Sequence, residues 1–262
     1  MVHTSTLTKV DVPSPSGNDF NGQQVRNKIL LGLPTSEWAA ILPRLKSVLI
    51  PSQSVLNEIG EPIESAFFMN DGLASVLISG SGNKTVEVGL CGNEGFIGIP
   101  LTVGFSSNPS RVIMQVDGSG FRIAARDFVV VLRECPTLRS SLHRFAQEMA
   151  LQSSQIAACN RLHAAEEQIA RWLLMCQDRL GGNVVSLTQD LFAHILGTRR
   201  ATVTVAAGIL QKAGIITYTR GSIKVESRSC LEDAACECYA IMTRQVEKWR
   251  SEVVQPPLAF AN

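Results

Sequence analysis

The chain has 262 residues, a formal net charge of +1 and 18% charged side chains, against about 25% in an average soluble domain. Hydrophobic residues reach 45%, yet no apolar stretch approaches the roughly 18 to 20 residues that cross a bilayer. The opening MVHTSTLTKVDVPSPSG lacks the basic-then-apolar layout of a secretory signal. Membrane and exported classes are set aside, and a cytoplasmic protein of two domains is expected. Seven cysteines, an odd number, fit a reducing compartment better than a disulfide framework.

Residues 1–22 are rich in Ser, Thr, Pro, Gly and Asn with no apolar period, which predicts a disordered lead. Residues 23–135 open with short helical pieces broken at Pro34 and Pro43. They continue with short apolar runs (SVLI, SAFFM, LASVLIS, TVEVGL, FIGIP, RVIMQV, GFRIA) between turns such as Asn70-Asp71-Gly72 and Asp117-Gly118. Regular short strands with Gly-rich turns predict an antiparallel barrel or jelly roll. Helix returns at Arg126, and Pro136 is well placed to open a long helix over 136–163. Leu138, Leu142, Phe145, Met149, Gln152, Ile156, Cys159 and His163 follow at alternating steps of four and three. That 3.5-residue period predicts a seam between two copies of the helix, with Leu138, Leu142, Phe145, Met149 and Ile156 as dimer contacts. A single helix packed on its own domain also needs an apolar stripe.

Residues 164–228 carry the chemistry. A helix ends at Gly181-Gly182, and LTQDLFAHILGTRRATVTVAAGILQKAGIITYTRGSIKV fills 187–225. Thr188 is placed to cap a short helix and Thr198 to cap the next, with Gly197 at the turn between them. Val203, Ala206, Ala207 and Leu210 form the buried side of the second helix, and a hairpin follows around Arg220-Gly221. Helix, glycine turn, helix and hairpin predict a winged helix-turn-helix, so the fold class is α+β. In such units the start of the second helix enters the major groove, where Arg reads guanine and hairpin cations hold phosphate. The candidate DNA-binding residues are Thr188, Gln189, Arg199, Arg200, Thr202, Thr204, Arg220, Ser222 and Lys224. Residues 193–228 hold six cations against Glu226 alone, whereas 1–160 hold 12 cations and 13 anions. A near-neutral chain thus contains a basic reader.

These passages resemble the Crp/Fnr superfamily of bacterial transcription regulators over roughly residues 25–226. The resemblance rests on GNEGFIG at 92–98, RDF…CPTL at 126–138 and LTQDLFAHILGTRRATVTVAAGILQKAGII at 187–216. It implies a homodimer on a two-fold symmetric site of double-stranded DNA, regulated by an effector in the β-roll, with RNA polymerase as a further partner. It places Arg200 and Thr202 on DNA-contacting positions, while Ala201 and Val205 replace an acidic residue and an arginine of the cyclic-AMP branch. Cyclic-nucleotide sensors of the family carry Gly-Glu and then Arg-Ser or Arg-Thr. Here Gly98 precedes Ile99, and Ser110-Arg111 runs in reverse order. Gly98, Ser110, Arg111, Ser153 and Ser154 are the candidate effector contacts, and a cyclic nucleotide is not expected. Nor is an iron–sulfur cluster, since no cysteine precedes Cys91.

Residues 229–262 read as a C-terminal helix with a Ser229/Glu232 capping box and a tail. On a continuous helix Cys236 and Cys238 lie about 200° apart, so the reading expects inert thiols, no metal and no cofactor. Four dispersed histidines, no nucleophile elbow and no phosphate loop argue against an enzyme. The alternative is a small-molecule sensor or regulatory subunit whose helix-turn-helix serves protein interaction.

Overall fold

The computed structural model describes residues 19–20, 23–80, 85–187, 192–193, 195–219 and 221–254. Its first elements are β1 (Asp19–Phe20) and β2 (Gln23–Gln24), paired antiparallel. The lead expected to be disordered through residue 22 therefore contains a strand. Pairing of this kind uses main-chain groups and needs no apolar period, which is why the pattern does not reveal it. The helices α1 (Lys28–Leu31) and α2 (Thr35–Ile41) are separated at Pro34, as the prolines predict.

The N-terminal unit, called the sensor for the role the resemblance implies as the basic C-terminal unit is called the reader, is built from β3 (Lys46–Ile50), β4 (Val55–Asn57), β5 (Ser65–Met69), β6 (Leu73–Ser79), β7 (Thr85–Cys91), β8 (Phe96–Ile97), β9 (Arg111–Val116) and β10 (Gly118–Ala124). They form two four-stranded antiparallel sheets, ordered β3-β10-β5-β8 and β4-β9-β6-β7. Aromatic rings of the first sheet pack against Phe128 and Phe145 on the helices that follow. Phe68, Phe96, Phe121 and Phe128 are fully buried, and the Phe68 and Phe96 ring centroids lie 6.0 Å apart.

α3 (Ala125–Glu134) leads into the long helix α4 (Pro136–Leu162). Pro136 removes one orphan donor from the start of α4. The buried Glu37 carboxylate on α2 accepts from Thr137 N at 2.9 Å and Leu138 N at 2.8 Å, satisfying two more and placing an anion at the positive end of the helix. The predicted seam is buried from Leu138 to Cys159, with Leu142, Phe145, Met149, Gln152 and Ile156 also facing inward, and only His163 at its end is half-buried. Its partner, however, is the chain's own sensor and reader. Leu138, Leu142, Phe145 and Met149 join the sensor core, and Ile156 joins the core of the reader half. The Phe145 ring lies 5.7 Å from that of Phe96, and a Cβ at Gly95 would overlap it. Gln152 bonds both main-chain groups of Leu90 on β7. A 3.5-residue period reports a buried stripe, whichever surface buries it.

The reader half comprises α5 (Ala165–Leu180), β11 (Val184–Ser186), α6 (Arg200–Lys212), β12 (Ile216–Thr219) and β13 (Ser222–Val225). The expected hairpin is present, and β11 adds a third strand in the order β11-β13-β12. The C-terminal segment departs from expectation. Ser227, not Ser229, caps α7 (Arg228–Ala234), its side chain accepting from Cys230 N. A break at 235–237 precedes α8 (Cys238–Val254). The 100° step of a continuous helix does not apply across that break, and Cys236 and Cys238 converge where divergence was expected. Residues 255–262 lie outside the described residues.

Candidate nucleic-acid interface

Hydrophobic burial fixes which side of α6 is free. Val203, Ala206, Ala207 and Leu210 are buried, as their spacing predicts. They pack into a core with Phe192, Ile195, Leu196, Ile216 and Ile223, which Trp172 of α5 anchors against the Phe192 ring at 5.1 Å. Arg199, Arg200, Ala201, Thr202, Thr204 and Val205 lie outside that core; Arg199, Arg200, Ala201, Thr204 and Val205 are exposed, and so is Thr202. Gly197 makes the preceding turn at φ 60°, a conformation that costs glycine little. Arg199, not Thr198, is the N-cap of α6, and no side chain caps this terminus. Its first-turn donors and positive dipole end thus stand beside two guanidiniums.

The wing is tied to α6 and to the segment after β11 by direct bonds. Gln211 Oε1 accepts from Tyr218 N at 2.8 Å, and Leu187 N donates to Gly221 O at 2.9 Å. Thr188, Gln189 and Arg220 lie outside the described residues. Thr204 turns its hydroxyl back to Arg200 O at 3.0 Å. Ser222 is half-buried on β13, and Lys224 is exposed but paired with Glu226 at 2.7 Å. Arg228 is paired with Asp178 at 2.8 Å and Glu232 at 2.9 Å. Among the described residues Arg199, Arg200 and Lys212 are exposed on α6 and at its start.

The sensor candidates each meet a different neighbour of their own chain. Ser110 bonds Asn108 Oδ1 at 2.8 Å, and Arg111 meets Glu58 at 3.2 Å. Gly98 packs on Ala66 at φ 120°. Ser153 donates to Val88 O at 2.8 Å and Ser154 to Ala150 O at 2.9 Å.

What the sequence reading missed is the joint between sensor and reader. Trp172 Nε1 of α5 donates to Glu87 Oε1 of β7 at 2.8 Å, and Ser75 Oγ donates to the other carboxylate oxygen at 2.5 Å. Burial raises the Glu87 carboxyl to about 7, against the opposing pull of those two hydrogen bonds and of Arg171 and Arg179. Arg179 of α5 pairs with Glu94 at 2.8 Å, both largely buried. Glu94 lies within GNEGFIG, the passage already singled out, so the signal was present without its meaning.

No described helix is long and apolar enough to cross a membrane. Residues 167–234 match the Crp-like helix-turn-helix domain. No curated protein matches the chain in sequence. Among solved structures, a transcriptional regulator of the Crp/Fnr family from Eubacterium rectale aligns with a TM-score of 0.62 at 13% identity, covering 79% of this chain and 97% of its own. The c-di-GMP responsive global regulator CLP of Xanthomonas campestris aligns at 0.62 and 12% identity, covering 74% and 100%. A Crp/Fnr family regulator from Thermus thermophilus aligns at 0.61 and 18%, covering 72% and 98%. The β-roll, long helix and winged helix-turn-helix are thus the fold of Crp/Fnr structures.

Proposed function

We propose that this chain, which joins a Crp-like helix-turn-helix domain to a Crp/Fnr fold, is a sequence-specific DNA-binding transcription regulator that acts as a homodimer on a two-fold symmetric site. One observation carries the reading: α6 buries its apolar side and leaves Arg199, Arg200 and Thr202 exposed at an uncapped N-terminus. Arg at that place donates two bonds to guanine O6 and N7, and the exposed Val205 suits a thymine methyl. Uncapped amides and hairpin cations hold phosphate.

A dimer in this reading uses the outward side of α4. There Gln147, Leu151, Ser154 and Ala158 follow at four-three-four steps, and Leu162, 73% exposed, continues them. Ser154 and Ala158 are small enough for close approach of a second helix. Ala158→Glu is expected to shift the sedimenting species from dimer to monomer while leaving the fold intact. An unchanged dimer in that variant removes this face from consideration.

The interaction-module alternative has one observation in its favour, since Val205 and Ile209 are apolar and exposed on α6 at 66% and 49%. Binding to genomic promoter fragments across a salt series separates the two. A DNA reader loses affinity steeply as salt rises. An interaction module shows no fragment binding at low salt.

A further inference from the structure

The break between α7 and α8 brings together side chains far apart in the sequence. Cys159 and His163 stand one turn apart at the end of α4, and Cys236 in the link and Cys238 at the start of α8 flank Glu237. One ligand atom from each of the four lies within 4.8 Å of every other. We propose that Cys159, His163, Cys236 and Cys238 form a structural zinc site that clamps the end of the long helix to the C-terminal helices.

The distances suit that ion. Cys159 Sγ and Cys236 Sγ are 3.4 Å apart, and Cys238 Sγ and His163 Nδ1 are 3.5 Å apart. Tetrahedral zinc with ordinary bond lengths sets its ligand atoms about 3.5 to 3.8 Å from one another. Three thiolates and one imidazole are soft, closed coordination that favours zinc over magnesium or calcium. All three thiols are buried, at 0%, 5% and 1% exposure, as befits a site with no open position.

The surroundings orient the ligands. His163 turns Nε2 to Glu237 Oε1 at 3.1 Å and so leaves Nδ1 toward the thiols, the carboxylate–histidine arrangement that fixes tautomer and ring in zinc sites. Gln155 Nε2 donates to Cys238 Sγ at 3.2 Å, a bond that a thiolate accepts better than a thiol.

Charge also balances. Arg171 is 2% exposed, its Nη1 meets the neutral Met175 sulfur at 3.2 Å, and its Nε has no hydrogen-bond partner. A buried cation in such surroundings calls for a counter-charge. Three thiolates around Zn²⁺ carry a net negative charge that supplies one, and the guanidinium reaches Cys159. Glu87 also feels Arg171, but its oxygens are taken by Ser75 and Trp172.

The place gives the site its consequence. His163 is the C-cap of α4 and α5 begins at Ala165, so the clamp closes on the joint between long helix and reader.

The test uses the full chain, purified reduced, stripped with chelator and titrated first with Co²⁺ and then with Zn²⁺. One cobalt per chain is expected, with thiolate-to-cobalt charge transfer and the strong visible bands of a tetrahedral site, displaced by an equivalent of zinc. Cys238→Ser should lose that spectrum. Cys230→Ser, whose thiol is exposed on α7, should keep it. Glu237→Gln replaces an exposed carboxylate and should keep the spectrum while weakening zinc about 10- to 100-fold. A folded chain with all seven thiols reduced and no tetrahedral cobalt spectrum overturns the proposal. So does a spectrum that persists in Cys159→Ser/Cys238→Ser, or a Cys159–Cys236 disulfide in protein isolated without oxygen.

Discussion

The sensor and the reader dispose of their polar groups in opposite ways. In the sensor, Ser110, Arg111, Ser153, Glu87 and Glu94 each meet another group of the same chain. The sensor core holds Phe68, Phe96, Phe121 and Phe128. In the reader, the first turn of α6 leaves Arg199 and Thr202 exposed and its terminus uncapped. Polar groups that fold the protein are satisfied internally, whereas those that read a partner are left where the partner comes. On that measure the strands of the sensor offer α4 and α5 a surface to pack against, while the exposed polar groups at the start of α6 belong to the reader.

Phe145→Ala tests the docking half of this contrast with the largest expected effect. The ring is 4% exposed and packs against Phe96 and Gly95, so its loss should cost about 3–5 kcal/mol in urea unfolding. A variant that keeps its stability but dissociates would restore the inter-chain seam.

Glu87→Gln tests the joint. The carboxyl ionises near 4.5 in the unfolded chain and near 7 in the fold, so the folded state holds a proton there that the unfolded state has released. The stability tied to that proton is complete below pH 4.5 and is lost as pH rises through 7, a swing of ~3 kcal/mol. The amide that replaces the carboxyl has no such proton to lose, and the variant should gain on the wild type across that interval. Parallel stability curves for the two proteins would mean that Glu87 stays ionised against Arg171.

Arg200→Ala sharpens the reading half. It should cost about 1–3 kcal/mol on a specific site and relax preference at one base pair per half-site. Equal weakening on random DNA marks Arg200 as a phosphate contact instead.

Much of this was legible because local rules carry it. Apolar spacing placed Val203, Ala206, Ala207 and Leu210 inside, Gly197 marked the turn, and Pro136 opened the long helix at the right residue. Partners were less legible than faces. The stripe from Leu138 to Cys159 is buried as its period requires, yet nothing in a period says which surface lies opposite. Charge counting likewise passed over ion pairs, since Arg228 and Lys224 meet Asp178, Glu232 and Glu226, and only geometry reveals such pairing. The cysteines were misplaced for one reason: a helix assumed continuous is broken at 235–237. Ala235-Cys236-Glu237 contains neither Gly nor Pro to announce that break.

Lys224→Ala gives the smallest effect and the finest test of the contrast. Lys224 is exposed on β13 and held by Glu226 at 2.7 Å, a surface pair worth little to stability. Approach of a phosphate would offer the ammonium a second anion without breaking the fold. Its removal should therefore leave unfolding unchanged, weaken all DNA sequences alike and lower the salt slope by about one. If instead the slope holds and stability falls, Lys224 belongs with the sensor's internally satisfied groups, and the reading surface ends at α6.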